Sequence, residues 1–374
     1  MTTQVLHVVD SLDLGGAERM AVELASLTDP EEFAVSLCAT RAGGPLAAAL
    51  SDDVPLDVLG RRRRWDAGGV LRFRRIVRDR RIDIVHTHGR GSAQFVALCR
   101  AGGLRVRHVF HDHFGGVDVD AHAGAGLRLA CRWGVDAYIG VHRTLCDRAV
   151  ETLGLPASRV HLVPNGVMVG RFTPATPADE NQNLRLVAVA GFRPDKDHGT
   201  LLRAVAQCRA PVELLLVGAT APAHAGYLAD CRALVDHLGL AQRVTFAGGR
   251  DDVPVVLAGA DAGVLSSRTE SGPLALLEYM AAGLPFVVTD TGEVTARVKE
   301  SGAGLVVPVG DPTAMAAALD RLAGMARAER AAMGARGRAR VEAEFDQWVV
   351  ARRVADVYRS MLAAPAPAGR ARSC

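Results

Sequence analysis

The stretch LRLVAVAGFRPDKDHGTLLRA, residues 184–204, runs from an apolar segment through a polar turn into a helical pattern. Strand, turn and helix in this order form the repeating unit of parallel α/β sheets. Twelve strand candidates, separated by helical stretches, divide evenly over the two halves of the chain: residues 4–10, 33–39, 83–88, 106–112, 137–142, 160–166, 184–191, 212–218, 244–248, 262–267, 285–290 and 304–308. We therefore predict an α/β fold with two doubly wound domains facing each other across a cleft, where a ligand would bind.

Length, composition and charge fit this prediction. A chain of 374 residues is long for one hydrophobic core, and 49% hydrophobic with 23% charged residues is typical of a globular protein. The net charge of +3 gives no indication of nucleic-acid binding. Seven cysteines without a Cys-x-x-Cys pair predict reduced, mostly buried thiols in a cytoplasmic protein. The sequence contains no basic signal-peptide start and no apolar stretch of about 20 residues for a membrane span.

The polar turn of the opening stretch contains a rare residue. Of the 44 basic residues, only Lys196 and Lys299 are lysines. An ammonium group is a compact point charge on a flexible stem, whereas a guanidinium group is a planar fork. Such a point charge suits the corner of a phosphate site and suits a solvated turn equally well, so Lys196 alone leaves both interpretations open.

An arginine-rich segment, RRRRWDAGGVLRFRRIVRDRR, occupies residues 61–81. From Val70 onward its pattern fits an amphipathic helix, which could dock on anionic lipid or on a phosphorylated acceptor. The alternative that we prefer is a solvated helix face in an arginine-biased sequence.

The segment RTESGPLALLEYMAAGLP, residues 268–285, carries the strongest functional signal. Ser271 and Gly272 open a predicted helix, whose free N–H groups and positive dipole end suit a phosphate. Glu270 precedes this helix and Glu278 lies within it, so both carboxylates can accept hydrogen bonds from sugar or ribose hydroxyls. A helix cap and a surface residue are the alternative interpretations of the two glutamates.

Six segments resemble, in the same order, those of the retaining GT-B glycosyltransferases that contain a Glu-x7-Glu motif (glycosyltransferase family 4-like, glycosyl transferases group 1). These segments are GGAER (15–19), VFHDHFG (109–115), VPNGV (163–167), GFRPDKDHGTLLRA (191–204), the Glu-x7-Glu pair followed by YMAAGLPFVVTD (279–290), and QWVVARRVADVYRSML (347–362). Each segment alone is a weak indication of the family, whereas six segments in the family's order are a specific one. The similarity covers nearly the whole chain.

The resemblance implies the GT-B fold, with two Rossmann-like domains across a cleft. It places an acceptor-binding domain at residues 1–172, a linker at 173–183 and a donor-binding domain at 184–345. A helix at residues 346–362 would return to the N-terminal domain, and residues 363–374 would form a disordered tail.

The resemblance also implies roles for individual residues. Lys196 would contact the diphosphate leaving group of the donor, Glu270 the hydroxyls of the donor sugar and Glu278 the ribose diol. Further donor-binding positions are Gly15, Gly16, Arg193, Arg250, Ser271, Gly272 and Leu274. Negative charge grows on the leaving oxygen as the sugar–phosphate bond breaks, so a fixed cation there accelerates transfer.

His111 resembles the histidine that lies beside the anomeric carbon in this family, and with Lys196 and Glu270 it completes the predicted catalytic set. For His86 and His88, which also end a strand, we favour a structural role. One departure from the family affects Arg193. Many relatives have an arginine five residues before the lysine, where this chain has Gly191, and its nearest arginine is Arg193, three residues before Lys196.

The implied function is a hexosyl- or N-acetylhexosaminyltransferase with retention of anomeric configuration. The donor would be a nucleoside-diphosphate sugar, UDP first and GDP second, and the acceptor a glycan, a lipid-linked sugar or a small natural product. No metal or other cofactor is expected, because Lys196 and helix N–H groups stabilise the leaving group and the sequence has no evident His/Asp ligand cluster. The expected location is cytoplasmic, with peripheral contact at the inner face of the membrane as an option.

Three other functions stay open. A glycosidase would use Glu270 and Glu278 as acid and nucleophile, with carboxyl groups about 5 Å apart. A sugar-nucleotide epimerase or hydrolase would share the architecture. A non-catalytic partner subunit would have a decayed site, against which the presence of Lys196, Glu270, Glu278 and His111 argues.

Overall fold

The computed structural model describes residues 2–13, 15–63, 66–113, 125–174, 183–270, 272–292, 295 and 299–363. The chain divides into two units, Met1–Asn165 with Gln347–Cys374, and Gly166–Asp346. The first unit thus ends before the domain boundary predicted at residue 172. Most of the predicted linker and nearly all of the predicted tail lie outside the described residues.

A seven-stranded parallel sheet is the centre of the first unit. Its strands are β1 (Thr3–Val9), β2 (Phe33–Ala39), β3 (Leu56–Val58), β4 (Ile84–His88), β5 (Arg107–Asp112), β6 (Ala137–Gly140) and β7 (Val160–Leu162). The spatial order is β3-β2-β1-β4-β5-β6-β7, so the strand order reverses at β1. This reversal defines a doubly wound, Rossmann-like sheet.

Helices alternate with these strands along the chain. They are α1 (Gly16–Leu27), α2 (Ala67–Asp79), α3 (Arg90–Ala101), α4 (Ala125–Gly134) and α5 (Arg143–Glu151). One face of the sheet packs on α2 and α3, where Leu6 and Val85 join Phe73 and Phe95 in a buried cluster. Because side chains alternate along a strand, neighbouring positions such as His86 point to the opposite face.

A six-stranded parallel sheet is the centre of the second unit, in the order β10-β9-β8-β11-β12-β13. Its strands are β8 (Leu184–Val189), β9 (Val212–Val217), β10 (Val244–Gly248), β11 (Ala262–Leu265), β12 (Phe286–Thr289) and β13 (Gly304–Val307). The accompanying helices are α6 (His198–Gln207), α7 (Ala225–His237), α8 (Val253–Ala258), α9 (Leu274–Ala281), α10 (Pro312–Ala323) and α11 (Arg327–Glu344). This order also reverses within the sheet, at β8.

The last helix, α12 (Gln347–Ala363), belongs to the first unit although it follows the second in sequence. It covers the face of the first sheet opposite to α2 and α3. Its Tyr358 is fully buried and packs edge-on against Phe33 and His86. Arg359 forms an ion pair with Glu32 at 2.6 Å.

The prediction of two doubly wound α/β domains is confirmed. Each of the twelve predicted segments overlaps an observed strand, with ends that differ by a few residues. The thirteenth strand, β3, was missed because its three residues, LDV, are too short to show a period. The predicted helix from Val70 onward is α2, which begins three residues earlier behind its N-cap, Asp66.

Two buried histidines, His108 on β5 and His198 at the first residue of α6, make folding stability depend on pH. Burial lowers the pKa of His108 and of His198 to about 4, from 6.5. Between these values the unfolded chain binds more protons, so the free energy of unfolding should fall as the pH falls from 6.5 to 4. Each histidine contributes up to about 3 kcal/mol to this loss.

Urea denaturation at pH 7.5, 6 and 4.5 measures this effect. The variant His108→Gln should be less stable than wild type at pH 7.5 but lose less stability on acidification. The exposed His237→Gln is the control and should behave as wild type. Equal acid sensitivity of His108→Gln and wild type would contradict the prediction.

Candidate active site

The polar turn after β8, residues 191–197, is called the basic turn. The residue after β8, Ala190, lies close to the residue after β9, Gly218. A Cβ added to Gly218 would lie 1.9 Å from the carbonyl oxygen of Ala190. Phe192 is buried and stacks on His198, with ring centroids 4.6 Å apart. Asp197 adopts a left-handed conformation (φ 45°) and caps α6 by accepting a hydrogen bond from the Thr200 N–H. The turn is therefore held at both ends.

The side chain of Lys196 forms an ion pair with Glu270, 74 residues later in the sequence. The Nζ–Oε1 distance is 2.6 Å, and the two side chains are 15% and 10% exposed. Ser267 donates a second hydrogen bond to the same carboxylate oxygen, also at 2.6 Å. The structure thus brings together two of the three predicted catalytic residues.

Residues 266–270, which follow β11, form a loop that is bound to the basic turn by further contacts besides this ion pair. Ser266 donates its hydroxyl to the carbonyl oxygen of Lys196 at 2.9 Å. The Arg268 N–H bonds to the carbonyl oxygen of Asp195 at 2.8 Å, and its guanidinium pairs with Asp197 at 3.1 Å. The position of Lys196 relative to Glu270 is consequently fixed by backbone as well as by side chains.

Helix α9 begins directly after this loop, at Leu274, and Pro273 is its N-cap. Glu270 pairs with Lys196, so the helix-cap interpretation of Glu270 is wrong. Glu278 is 4% exposed, so the interpretation of Glu278 as a surface residue is wrong too. The carboxylate of Glu278 lies one helical turn past Leu274, and Gly272 lies just before the helix. Ser271 lies outside the described residues.

The two arginines that were predicted to bind the donor lie at the surface of the second unit. Arg193 pairs with Asp195 at 3.0 Å and is 51% exposed. Arg250 forms a bidentate pair with Asp252, with 2.6 Å between Nε and Oδ1. Both guanidinium groups therefore have carboxylate partners, which a donor phosphate would have to replace.

Gly15 and Gly16 lie at the start of α1 in the first unit. A Cβ on Gly15 would lie 2.1 Å from a carboxylate oxygen of Glu18, so this position has no room for a side chain without movement of Glu18. Burial raises the pKa of Glu18, with Asp13 and Asp10 adding to the shift. Close approach of a ligand to these glycines stays a prediction.

His111 is fully buried in the first unit, with 0% exposure, and burial lowers its pKa well below the usual value. In this position the ring has no exposed atom for a sugar, so its predicted role in transfer stays a prediction. Its ring packs on three other buried histidines, His86, His88 and His113, and His7 packs in turn on His86 and His88. The expectation of no clustered ligand set was wrong, because two groups of three of these histidines bring ring nitrogens within 4.8 Å.

Sequence reasoning could have found this cluster. His86 and His88 form one His-x-His pair and His111 and His113 another, on strands that were both predicted. The two-residue period of a strand places both members of each pair on one face. What was missing was the knowledge that β4 and β5 are neighbours, with His88 and His111 directly paired.

The arginine-rich segment divides into a buried and an exposed part. Arg61 is 5% exposed, lies 3.5 Å from Asp10 and stacks over Phe95 at 4.3 Å. The prediction of a solvated or lipid-facing residue is therefore wrong for Arg61. On α2, Arg72, Arg75 and Arg78 are exposed.

Two family models match the chain, "Glycosyltransferase Family 4" over residues 14–171 and "Glycosyl transferases group 1" over residues 183–324. The GDP-mannose-dependent alpha-(1-6)-phosphatidylinositol monomannoside mannosyltransferase of Mycobacterium tuberculosis is 30% identical, over 77% of this chain and 79% of that protein. The chain belongs to the family 4, group 1 glycosyltransferases. The resemblance of its motifs to this family is confirmed.

Two further matches cover most of this glycosyltransferase. The UDP-Gal:alpha-D-GlcNAc-diphosphoundecaprenol alpha-1,3-galactosyltransferase of Escherichia coli is 23% identical, over 85% of this chain and 87% of that protein. The Anabaena protein HepE, solved in complex with UDP and glucose, superposes with a TM-score of 0.82 at 20% identity, over 96% of this chain and 100% of HepE. The structural match shows the GT-B fold class.

As a glycosyltransferase, the protein transfers a sugar from a donor to an acceptor. Within the part of the chain that the structure describes, no helix is both long and apolar enough to cross a membrane.

Proposed function

We propose that this glycosyltransferase moves a hexosyl or N-acetylhexosaminyl group from a nucleoside-diphosphate sugar to an acceptor hydroxyl, with retention of anomeric configuration. The observation that carries this proposal is the Lys196–Glu270 ion pair, which lies directly before the N-terminus of α9. The cation and the carboxylate are thus in contact, and the carboxylate lies four residues before the first residue of a helix. A diphosphate joined to a polyhydroxylated sugar requires these three features.

The ion pair supplies a physical mechanism. When the donor binds, its diphosphate would bind to Lys196 and to the N–H groups of Gly272 and Leu274. Glu270 would accept hydrogen bonds from the sugar hydroxyls. The bond from the anomeric carbon to phosphate oxygen breaks as the acceptor oxygen bonds to that carbon on the same face. The leaving oxygen keeps the electron pair and takes the acceptor proton. Lys196 stabilises the negative charge where it grows, without a metal ion.

The identity of the nucleotide is the finer question. The resemblance of the motifs to the family implies UDP first and GDP second. The relative from M. tuberculosis is named for GDP-mannose, and that from E. coli for UDP-galactose. We therefore propose a donor of one of these two nucleotide classes, whose ribose diol would bind Glu278.

Thermal denaturation in the presence of UDP-, GDP-, dTDP- and ADP-sugars tests this proposal. One nucleotide class should raise the melting temperature, by about 2–4 °C per kcal/mol of binding free energy for a domain of this size. The variant Glu278→Gln should shift less with the same ligand. No shift with any nucleotide sugar would contradict the proposal.

The proposed acceptor is lipid-linked, since the names of both relatives contain a lipid. Helix α4 supports this proposal with an exposed basic and apolar face. Leu129 is 62% and Trp133 70% exposed, one helical turn apart, and Arg128 and Arg132 are exposed beside them. Such a face binds an anionic lipid surface by inserting its apolar side chains beneath the phosphates.

Vesicle binding measures the contribution of this face. The variant Trp133→Ala should bind vesicles containing phosphatidylglycerol about tenfold more weakly than wild type, because an aromatic anchor of roughly 1.5 kcal/mol is lost. Trp348→Ala removes another exposed tryptophan, 55% exposed on α12, and should leave binding unchanged. Equal binding of Trp133→Ala and wild type would exclude α4 as the membrane contact.

A further inference from the structure

Two His-x-His pairs end on neighbouring strands of the first unit. β4 supplies His88 and β5 supplies His111, which are paired across the sheet, and His113 directly follows the last residue of β5. All three side chains are buried, with exposures of 4%, 0% and 8%. One ring nitrogen from each lies within 4.8 Å of the other two.

The three rings differ in whether their nitrogens have hydrogen-bond partners. His88 Nδ1 lies 3.1 Å from His113 Nε2, while the outer nitrogens of these rings contact His7 Nδ1 at 2.9 Å and Asn165 Oδ1 at 3.0 Å. His111 has no hydrogen-bond partner at either ring nitrogen among the described residues. A fully buried imidazole without a partner is costly, and such groups require an explanation.

We propose that His88, His111 and His113 bind one divalent transition-metal ion, of which Zn²⁺ is the probe of choice. His88 would bind through Nδ1, His113 through Nε2 and His111 through one of its unpartnered nitrogens. Two nitrogens at 2.0–2.1 Å from a tetrahedral zinc ion are roughly 3.3 Å apart, close to the 3.1 Å between His88 and His113. Three histidines leave the fourth position of a tetrahedral ion for water or an anion.

The surroundings of the three rings fit this assignment. Metal-bound histidines hold their second nitrogen in a hydrogen bond that fixes the orientation of the ring. Asn165 does this for His113, and His7 for His88.

The other histidine triad, His7, His86 and His88, fits less well. Tyr358 contacts His86 Nδ1 at 2.5 Å and His7 Nε2 at 3.3 Å, and His7 Nδ1 bonds to His88. A metal there would have to displace all three contacts. The proposed ligands belong to the first unit and the Lys196–Glu270 pair to the second, and metal binding can be measured without the transfer reaction.

Calorimetric titration of the chelator-treated full chain with Zn²⁺, at neutral pH, tests the proposal. We expect one ion per chain, and a tetrahedral visible spectrum when Co²⁺ replaces Zn²⁺. His111→Phe keeps an aromatic ring and removes no hydrogen bond. This variant should weaken Zn²⁺ binding by more than about a hundredfold, which exceeds the loss expected when only a residue that hydrogen-bonds to a metal ligand is changed. His237→Gln removes an exposed histidine of α7 and should bind as wild type.

Asn165→Ala is a second variant in case His111→Phe does not fold, and should weaken Zn²⁺ binding about 10–100-fold. The absence of stoichiometric binding by the wild-type chain would overturn the proposal. Undiminished binding by His111→Phe would also overturn it, and would place the ion on the other triad or at the surface.

Discussion

Lys196→Ala is expected to lower kcat/KM for sugar transfer by a hundredfold or more. The side chain of Lys196 is 15% exposed, and its ammonium group pairs with Glu270 at 2.6 Å, so the cation is preorganised for the charge of the leaving phosphate. Loss of one such fixed donor in other enzymes costs roughly 3 kcal/mol of transition-state stabilisation. Most of the loss should fall on kcat, because the charge on the leaving oxygen is greatest in the transition state.

The chain offers a matched control for this variant, because Lys299 is its other lysine and is exposed. Lys299→Ala should retain wild-type kinetics. Lys196→Arg should not restore activity, because a planar guanidinium cannot occupy the position of a compact ammonium between Glu270 and a phosphate. If Lys196→Ala retained activity within threefold of wild type, Lys196 would have no role in departure of the leaving group.

Glu270→Gln is expected to lower kcat/KM by about a hundredfold and also to reduce stability. The substitution removes the negative charge that faces Lys196 at 2.6 Å and leaves the ammonium mostly buried without its counter-ion. It also weakens the hydrogen bonds that the carboxylate would accept from the donor sugar, which are stronger to a charged acceptor. Steady-state kinetics and urea denaturation of the same variant measure the two losses.

The double variant Lys196→Ala/Glu270→Gln separates pairing from catalysis. Its loss of stability should be smaller than the sum of the two single losses, because each single change leaves one charge unpaired. Its loss of activity should be no smaller than that of either single variant. Glu300→Gln, at an exposed position, is the control. Additive losses of stability would show that the ion pair contributes nothing to folding.

The sequence was sufficient to predict the fold, since strand segments such as 184–191 and 212–218 are short, apolar and separated by helical stretches. Strand ends were less certain, because a strand ends where its hydrogen bonds stop and not where its apolar residues stop. The run AGVLSS illustrates this. β11 ends at Leu265, while Ser266 and Ser267 leave the sheet and bind the basic turn and Glu270.

The candidate site was predicted in part. Lys196 and Glu270 were singled out by composition and by motif, but their contact depends on β8 and β11 being neighbours. The partners Ser267 and Arg268 gave no signal, because serine and arginine are common in loops of every kind. The burial of His111 could not be predicted from its position at a strand end, since α12 comes from the far end of the chain to cover that face.

The most direct test of the central claim is a time course by proton NMR of the preferred nucleotide sugar with the wild-type enzyme, water serving as a slow acceptor. We expect nucleoside diphosphate and free sugar to appear together, and the first sugar anomer to have the configuration of the donor. Lys196→Ala should abolish both signals. Release of the opposite anomer first, or no cleavage of any nucleotide sugar by the wild-type enzyme, would contradict a retaining transferase that acts through the Lys196–Glu270 pair.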